Sequence, residues 1–251
     1  MATFEEEYIR LRRKIKFLSD FSLVFKKIEI KGQDNFIKEG PNIIVGNHIG
    51  SYKDVGLLLR IVPRRIFFTA NRMIFSRDDL SSLVLRHLRR HLKDFGVFLH
   101  LILNPFYSLA VNFVSSNISS IGTIPVDIYG SKRGAVIKCQ EYLKNNRAII
   151  ALQGRGRVHP RDPNPYVKEF GNGVSIMACN LEKEGLSVPV TPFSVFGTHY
   201  AWGVPARIRL NVGEPLFIRD FLRVGDQETI EAFRSCLYKR VSDLLVESLG
   251  W

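Results

Sequence analysis

The sequence predicts an α/β fold, a largely parallel central sheet flanked by helices. Short runs rich in β-branched residues alternate with helix-length amphipathic patterns, which is the rhythm of strand–crossover–strand units. Residues able to do polar chemistry sit where two of those runs end, in "NIIVGNH" and "AIIALQGRGR", and the loops of a parallel sheet gather at the C-terminal ends of its strands. At 251 residues and 45% hydrophobic, the chain can bury one sizeable core and reads as a single domain, 1–251.

Taken in order, Phe4, Tyr8, Leu11, Ile15 and Leu18 recur at steps of four and three, one stripe of a helix over 1–20 whose other faces carry Arg10, Arg12, Arg13, Lys14 and Lys16. Such a basic amphipathic helix either lies in an anionic membrane interface or packs on its own domain with a solvated basic face. "FSLVFKKIEI" predicts an edge strand, and "NIIV", "RIFFTA", "IGTIPV", "RAIIAL", "LSVPVTPF" and "RIRLNV" predict further strands. Helices are predicted over "SYKDVGLLLRIV", "SKRGAVIKCQEYLKNN", "GNGVSIMACNLEKEG" and "DQETIEAFRSCLYKRVSDLLVESL".

The stretch 80–118 breaks this rhythm, because no charged residue occurs from Phe95 to Val126. Its apolar part is long enough to cross a membrane, but Pro105 interrupts it and His100, Asn104 and Asn112 are unsuited to lipid. One crossing would also separate His48 from the Arg155 loop, although both belong to one sheet. The expectation is a helical hairpin that dips into or lies on the membrane, with Arg86, Arg89, Arg90 and Lys93 at the headgroups. A buried helical pair within a soluble domain is the alternative.

A net charge of +12 and a pI near 9.8 imply an anionic partner, whether nucleic acid, an anionic membrane surface or a phosphorylated substrate. Against nucleic acid, RNA-binding and helix-turn-helix signatures are missing, and the basic residues flank apolar stripes instead of interleaved aromatics. Cys139, Cys179 and Cys236 are odd in number and show no C-x-x-C pair, which predicts neither a disulfide framework nor a zinc knuckle and places the chain in a reducing, cytosol-facing compartment. Acids precede the basic cluster at the N-terminus, so no export signal is expected. His87 and His91 stand at i and i+4, but no glutamate or third ligand accompanies them, and no metal is expected.

The chemistry concentrates in "GNHIGSYKDVG". A neutral histidine takes a proton from a hydroxyl near pH 7, and does so better when a carboxylate holds its other ring nitrogen. His48 ends a predicted strand, and Asp54 falls in the first turn of a helix that Ser51 is placed to N-cap, with Gly50 in the preceding loop. Asp54 then faces back to His48 while Lys53 turns away. No serine or cysteine elbow is evident, so the hydroxyl belongs to the substrate. A second cluster, "LQGRGRVHPRD", sets Gln153 and Gly154 beside the forked donors Arg155 and Arg157, an arrangement suited to phosphate. Lys132 and Arg133 open a helix, where they either bind an anion with help from its terminus or are solvated. His199 in "FGTHYAWG" either lines a substrate pocket or is structural.

"EGPNIIVGNHIGSYKDV", "SSIGTIPVDIYGSKRGAV", "AIIALQGRGRV" and "VPVTPF" occur in the order and approximate spacing of the four motif blocks of the glycerolipid acyltransferases, which include 1-acyl-sn-glycerol-3-phosphate acyltransferase. The chain resembles this family from about Val24 to about Leu245. The resemblance implies transfer of a fatty acyl group from an acyl-CoA or acyl-carrier-protein thioester to a hydroxyl of a lysophospholipid-type acceptor, at the cytoplasmic face of a membrane. It implies His48 as base, Asp54 as its orienting carboxylate, the "QGRGR" loop as the acceptor-phosphate site, and no metal or prosthetic group. Three features depart from the family. Five residues, Ile49 to Lys53, separate His48 from Asp54 where the family has four, and Lys53 occupies the acidic place; Ile128 stands where an arginine follows "PVD"; and Gln153 replaces a glutamate. These departures leave open a catalytically silent lipid-binding relative, and charge alone leaves open a basic nucleic-acid-binding protein.

Overall fold

The computed structural model describes residues 19–86, 108–119, 122–131, 133–201 and 203–250, apart from positions 22, 110, 128 and 129. Residues 1–18 of the basic helix expected over 1–20, the middle of the 80–118 insertion and Lys132 therefore lie outside the described residues, as do His87 and His91.

The strands are β1 (Lys26–Lys31), β2 (Asn42–His48), β3 (Ile66–Asn71), β4 (Thr123–Val126), β5 (Ala148–Gly154), β6 (Val190–Phe196) and β7 (Ala206–Val212). The helices that follow the predicted patterns are α1 (Tyr52–Ile61), α2 (Arg133–Lys144), α3 (Gly173–Lys183) and α4 (Asp226–Leu249). The sheet runs β1-β7-β6-β2-β5-β3-β4. Pairs β1–β7, β2–β5, β2–β6 and β3–β4 are parallel, and β6–β7 is antiparallel. This is the expected largely parallel α/β architecture, with "FSLVFKKIEI" supplying the edge strand.

Described residues up to 67 and from 136 onward form one compact unit, and those from 68 to 135 a second. In the first, β2 is buried without alternation, and Ile43, Ile44 and Val45 are fully buried, as a parallel strand covered on both faces requires. Phe233, Leu237, Val241 and Leu244 make one buried stripe on α4, which packs on β6 and β7. In the second unit β3 pairs with β4 from Phe68↔Thr123 onward, and residues 77–86 and 111–117 are helical. No helix among the described residues is long and apolar enough to cross a membrane.

The register of β2 positions the polar residues. It pairs with β5 from Asn42↔Ala148 to His48↔Gly154, so the two chemical clusters of the sequence emerge side by side. Its pairing with β6 stops at Gly46↔Phe193, and there the Asn47 side chain takes over from the backbone. Asn47 Oδ1 accepts from Val195 N–H at 2.7 Å, and Nδ2 donates to Val195 O at 2.9 Å and Tyr166 O at 3.1 Å. Asn47 is fully buried, so removing its amide strands these backbone groups. Asn47→Ala is expected to lower unfolding free energy by about 2–4 kcal/mol, measured by urea denaturation; a loss under about 1 kcal/mol would show that the strand end is held by something else.

Candidate active site

β2 delivers His48 to the end of the sheet with its side chain 21% exposed. The chain then turns through Ile49, Gly50 and Ser51 into α1. Ser51 adopts φ 55°, ψ −128°, the first corner of a type II′ turn that glycine usually fills, and Lys53 N–H closes the turn on Gly50 O at 3.2 Å. Ser51 holds the N-cap position as predicted, yet its side chain caps nothing. Asp54 reaches back from the first turn of α1 instead. Its Oδ2 accepts N–H groups from Ile49 at 2.9 Å and Gly50 at 2.7 Å and meets His48 Nδ1 at 2.8 Å. The five intervening residues are thus compatible with a direct contact, because the turn absorbs the extra one. In the neutral tautomer with Nδ1–H donating to Asp54, Nε2 is left as the lone-pair base.

Nε2 faces the loop that follows β5. Gly156, at φ +69°, donates its N–H to His48 O at 3.1 Å. A Cβ there would stand 3.1 Å from His48 Nε2 and 3.1 Å from Ser51 Cα. Gly154, at φ +131°, lies so close that a Cβ would fall 2.8 Å from His48 O. Both glycines thus make room for the histidine, and the Gly156 N–H is already committed to its carbonyl.

Arg155 and Arg157 are exposed on the same loop. Burial pulls the His159 imidazole below its usual range, and the charges of Lys168, Arg157 and Arg155 add to that against the opposing Asp162. Gln153 Oε1 accepts from Gly171 N–H at 3.2 Å. Arg234 of α4 donates to Glu169 at 2.9 Å and Phe170 O at 3.0 Å. The loop is therefore anchored at its base and at its far end. Arg133 is exposed at the start of α2 and belongs to the second unit.

The β6–β7 loop supplies the other neighbours. Rings of Tyr166, Phe196, His199 and Tyr200 form one cluster, with Tyr166–Phe196 centroids 5.2 Å, Phe196–His199 5.2 Å and His199–Tyr200 4.3 Å apart. Burial, then the charge of Lys53, holds His199 below the usual imidazole range while Asp54 opposes. Lys53 does not simply turn away. It is 7% exposed, and its Nζ donates to Tyr200 O; burial and then Lys26 lower its ammonium, against Asp54. That role was hidden from the sequence because its partner is 147 positions away. The three cysteines are free, and burial pushes the Cys139 thiol up to about 12 and raises those of Cys179 and Cys236, which makes them poor nucleophiles.

No protein-family model and no curated protein matches the sequence. Among solved structures, the fold is similar to the crystal structure of the 1-acyl-sn-glycerophosphate (LPA) acyltransferase PlsC from Thermotoga maritima. The TM-score is 0.54 and the identity 19%, over 97% of this chain and 84% of that one. The chain thus shares the fold of a glycerolipid acyltransferase, which is the fold its motif blocks imply.

If Gly156 is what keeps Nε2 approachable, Gly156→Ala will slow carbethoxylation of His48 by diethyl pyrocarbonate several-fold, read by peptide mass spectrometry. The strained alanine should destabilise the fold by only about 1–3 kcal/mol. An unchanged modification rate would show that Nε2 is reached from another side.

Proposed function

We propose that the protein is an O-acyltransferase that moves a fatty acyl group from an acyl-CoA or acyl-carrier-protein thioester to a hydroxyl of a lysophospholipid-type acceptor. The observation that carries this reading is the 2.8 Å contact of His48 Nδ1 with the buried Asp54, which leaves Nε2 facing the Gly156 backbone, in the loop that carries Arg155 and Arg157. The acceptor hydroxyl gives its proton to Nε2 as its oxygen attacks the thioester carbonyl. The imidazolium, held by Asp54, then protonates the departing thiolate. Proton transfer of this kind needs no protein nucleophile, in keeping with the raised cysteine thiols.

Exposed arginines on a loop anchored at both ends suit an acceptor phosphate, which a guanidinium grips with two parallel hydrogen bonds. The charge of +12 and the basic stretch from Arg10 to Lys16 support association with an anionic membrane surface at its cytoplasmic face. Of the departures that leave open a catalytically silent lipid-binding relative, the five-residue spacing is accommodated by the Gly50–Ser51 turn, while Ile128, in place of the arginine, lies outside the described residues.

Thiol release from a long-chain acyl-CoA, with a lysophosphatidate acceptor in mixed micelles, tests the reading. His48→Ala should abolish turnover, and Asp54→Asn should lower kcat by about 10²–10⁴-fold; near-normal turnover in folded Asp54→Asn would remove the dyad. In the same assay Arg155→Ala should raise KM for the acceptor about 10- to 100-fold and leave KM for the thioester nearly unchanged. The opposite pattern would reassign the loop to the phosphates of the acyl carrier.

A further inference from the structure

Asp54 is fully buried, yet its three donors, His48 Nδ1, Ile49 N–H and Gly50 N–H, all converge on Oδ2. Oδ1 has no hydrogen-bond partner among the described residues. A buried carboxylate oxygen without a donor is costly, and such an orphan calls for an explanation. Thr198, also fully buried, carries a second orphan, since its Oγ1 is unpartnered too. The two atoms flank one bare Cα: a Cβ on Gly50 would stand 2.4 Å from Thr198 Oγ1 and 2.6 Å from Asp54 Oδ1.

We propose that Thr198 is a positioning residue for the His48–Asp54 pair, its hydroxyl donating to Asp54 Oδ1 directly or through one water. The proposal rests on the proton-transfer role given to that pair above. A donor on Oδ1 fixes the rotation of the carboxylate, so that Oδ2 stays on His48 Nδ1. It also explains how the longer turn is used. Gly50 lies within the lengthened spacing, and because it has no side chain the β6–β7 loop can approach Asp54 from behind. Lys53, next to Asp54 on α1, holds that loop through Tyr200 O, and Lys26 of β1 holds it through Ala201 O at 2.9 Å and Val204 O. One turn of α1 thus bears both the carboxylate and a clamp on the loop that brings Thr198 to it.

The sign of the pH effect follows from the anion. Removing a donor from a carboxylate makes the pair hold a shared proton more tightly, whichever partner carries it. The charged and titratable groups that couple to Asp54 are Lys53 on α1 and His199 on the β6–β7 loop, with Lys26 on β1 coupled to both. All three are retained in the variants below, so their contributions persist.

Thr198→Val keeps the shape of the side chain and removes the hydroxyl; Thr198→Ser keeps the hydroxyl. The His48 ring resonances, identified by their loss in His48→Gln, are titrated by NMR in the full-length protein without substrate. Valine should raise the midpoint by about 0.5–1 pH unit, and serine should restore it. In thiol release, valine should lower kcat about tenfold with thioester KM within about twofold, and the acid limb of kcat/KM should move up in parallel. A valine midpoint that stays at the wild-type value, or a serine variant displaced as far as valine, overturns the proposal. If valine does not fold, Thr198→Ala is compared with serine in the same titration. Failure of the unmodified protein to turn over the thioester would count against acyl transfer, and the NMR midpoints would still decide the role of Thr198.

Discussion

The site depends on the parallel register between β2 and β5. Once Asn42 lies opposite Ala148, the ladder carries through to His48 opposite Gly154, and two clusters about a hundred positions apart in sequence become neighbours. A slip of one residue would turn His48 to the other face of the sheet. Because β2 is buried on both faces, alternation cannot protect its register, and close packing and the strand ends must do so. Asn47 is the pin at the end that matters. It replaces the missing backbone pairing with β6 through two bonds to Val195 and adds a third to Tyr166 O, one residue before the histidine it steadies.

The turn after His48 stores strain and holds it with the Asp54 carboxylate. A serine at φ 55°, ψ −128° costs about 1–3 kcal/mol. Two backbone N–H groups bound to one buried carboxylate oxygen contribute about 1.5–3 kcal/mol each, enough to offset it. Asp54 therefore braces the turn and orients His48 with the same Oδ2 atom. The two tasks cannot be separated by mutation at Asp54 alone, because asparagine changes the brace along with the ring partner. Substitution at Thr198, which lies on the other oxygen, perturbs the carboxylate and leaves those backbone contacts in place.

The strands and helices were legible because each carries its own period: apolar runs for buried strands, and stripes at three and four for α1 to α4. The approach of Asp54 to His48 was legible too, since Gly50 and Ser51 mark a turn that can absorb a residue. Three features were not. The tight packing of Gly154 and Gly156 against His48 depends on β5 lying beside β2, and a glycine carries no mark of which neighbour excludes its side chain. Lys53 reads as a surface cation until the β6–β7 loop is folded over it. Asn47 and Thr198 are ordinary polar residues whose partners exist only after the sheet assembles. The uncharged stretch from Phe95 to Val126 was ambiguous for a different reason: hydrophobicity alone does not distinguish lipid from a protein interior.

The cations of this site differ in weight with exposure. Arg155 and Arg157 are exposed, so water and salt screen them, and they act mainly on an anion that has already come close. Lys53 is buried, couples directly to Asp54, and is screened far less. Its charge opposes an imidazolium forming nearby, yet its Nζ is spent on Tyr200 O, which keeps the loop over the dyad. The position where the motif calls for an acid thus holds a residue of opposite charge while the His48–Asp54 contact is kept, because its ammonium is turned to a backbone carbonyl and Asp54, one step further along α1, supplies the negative charge.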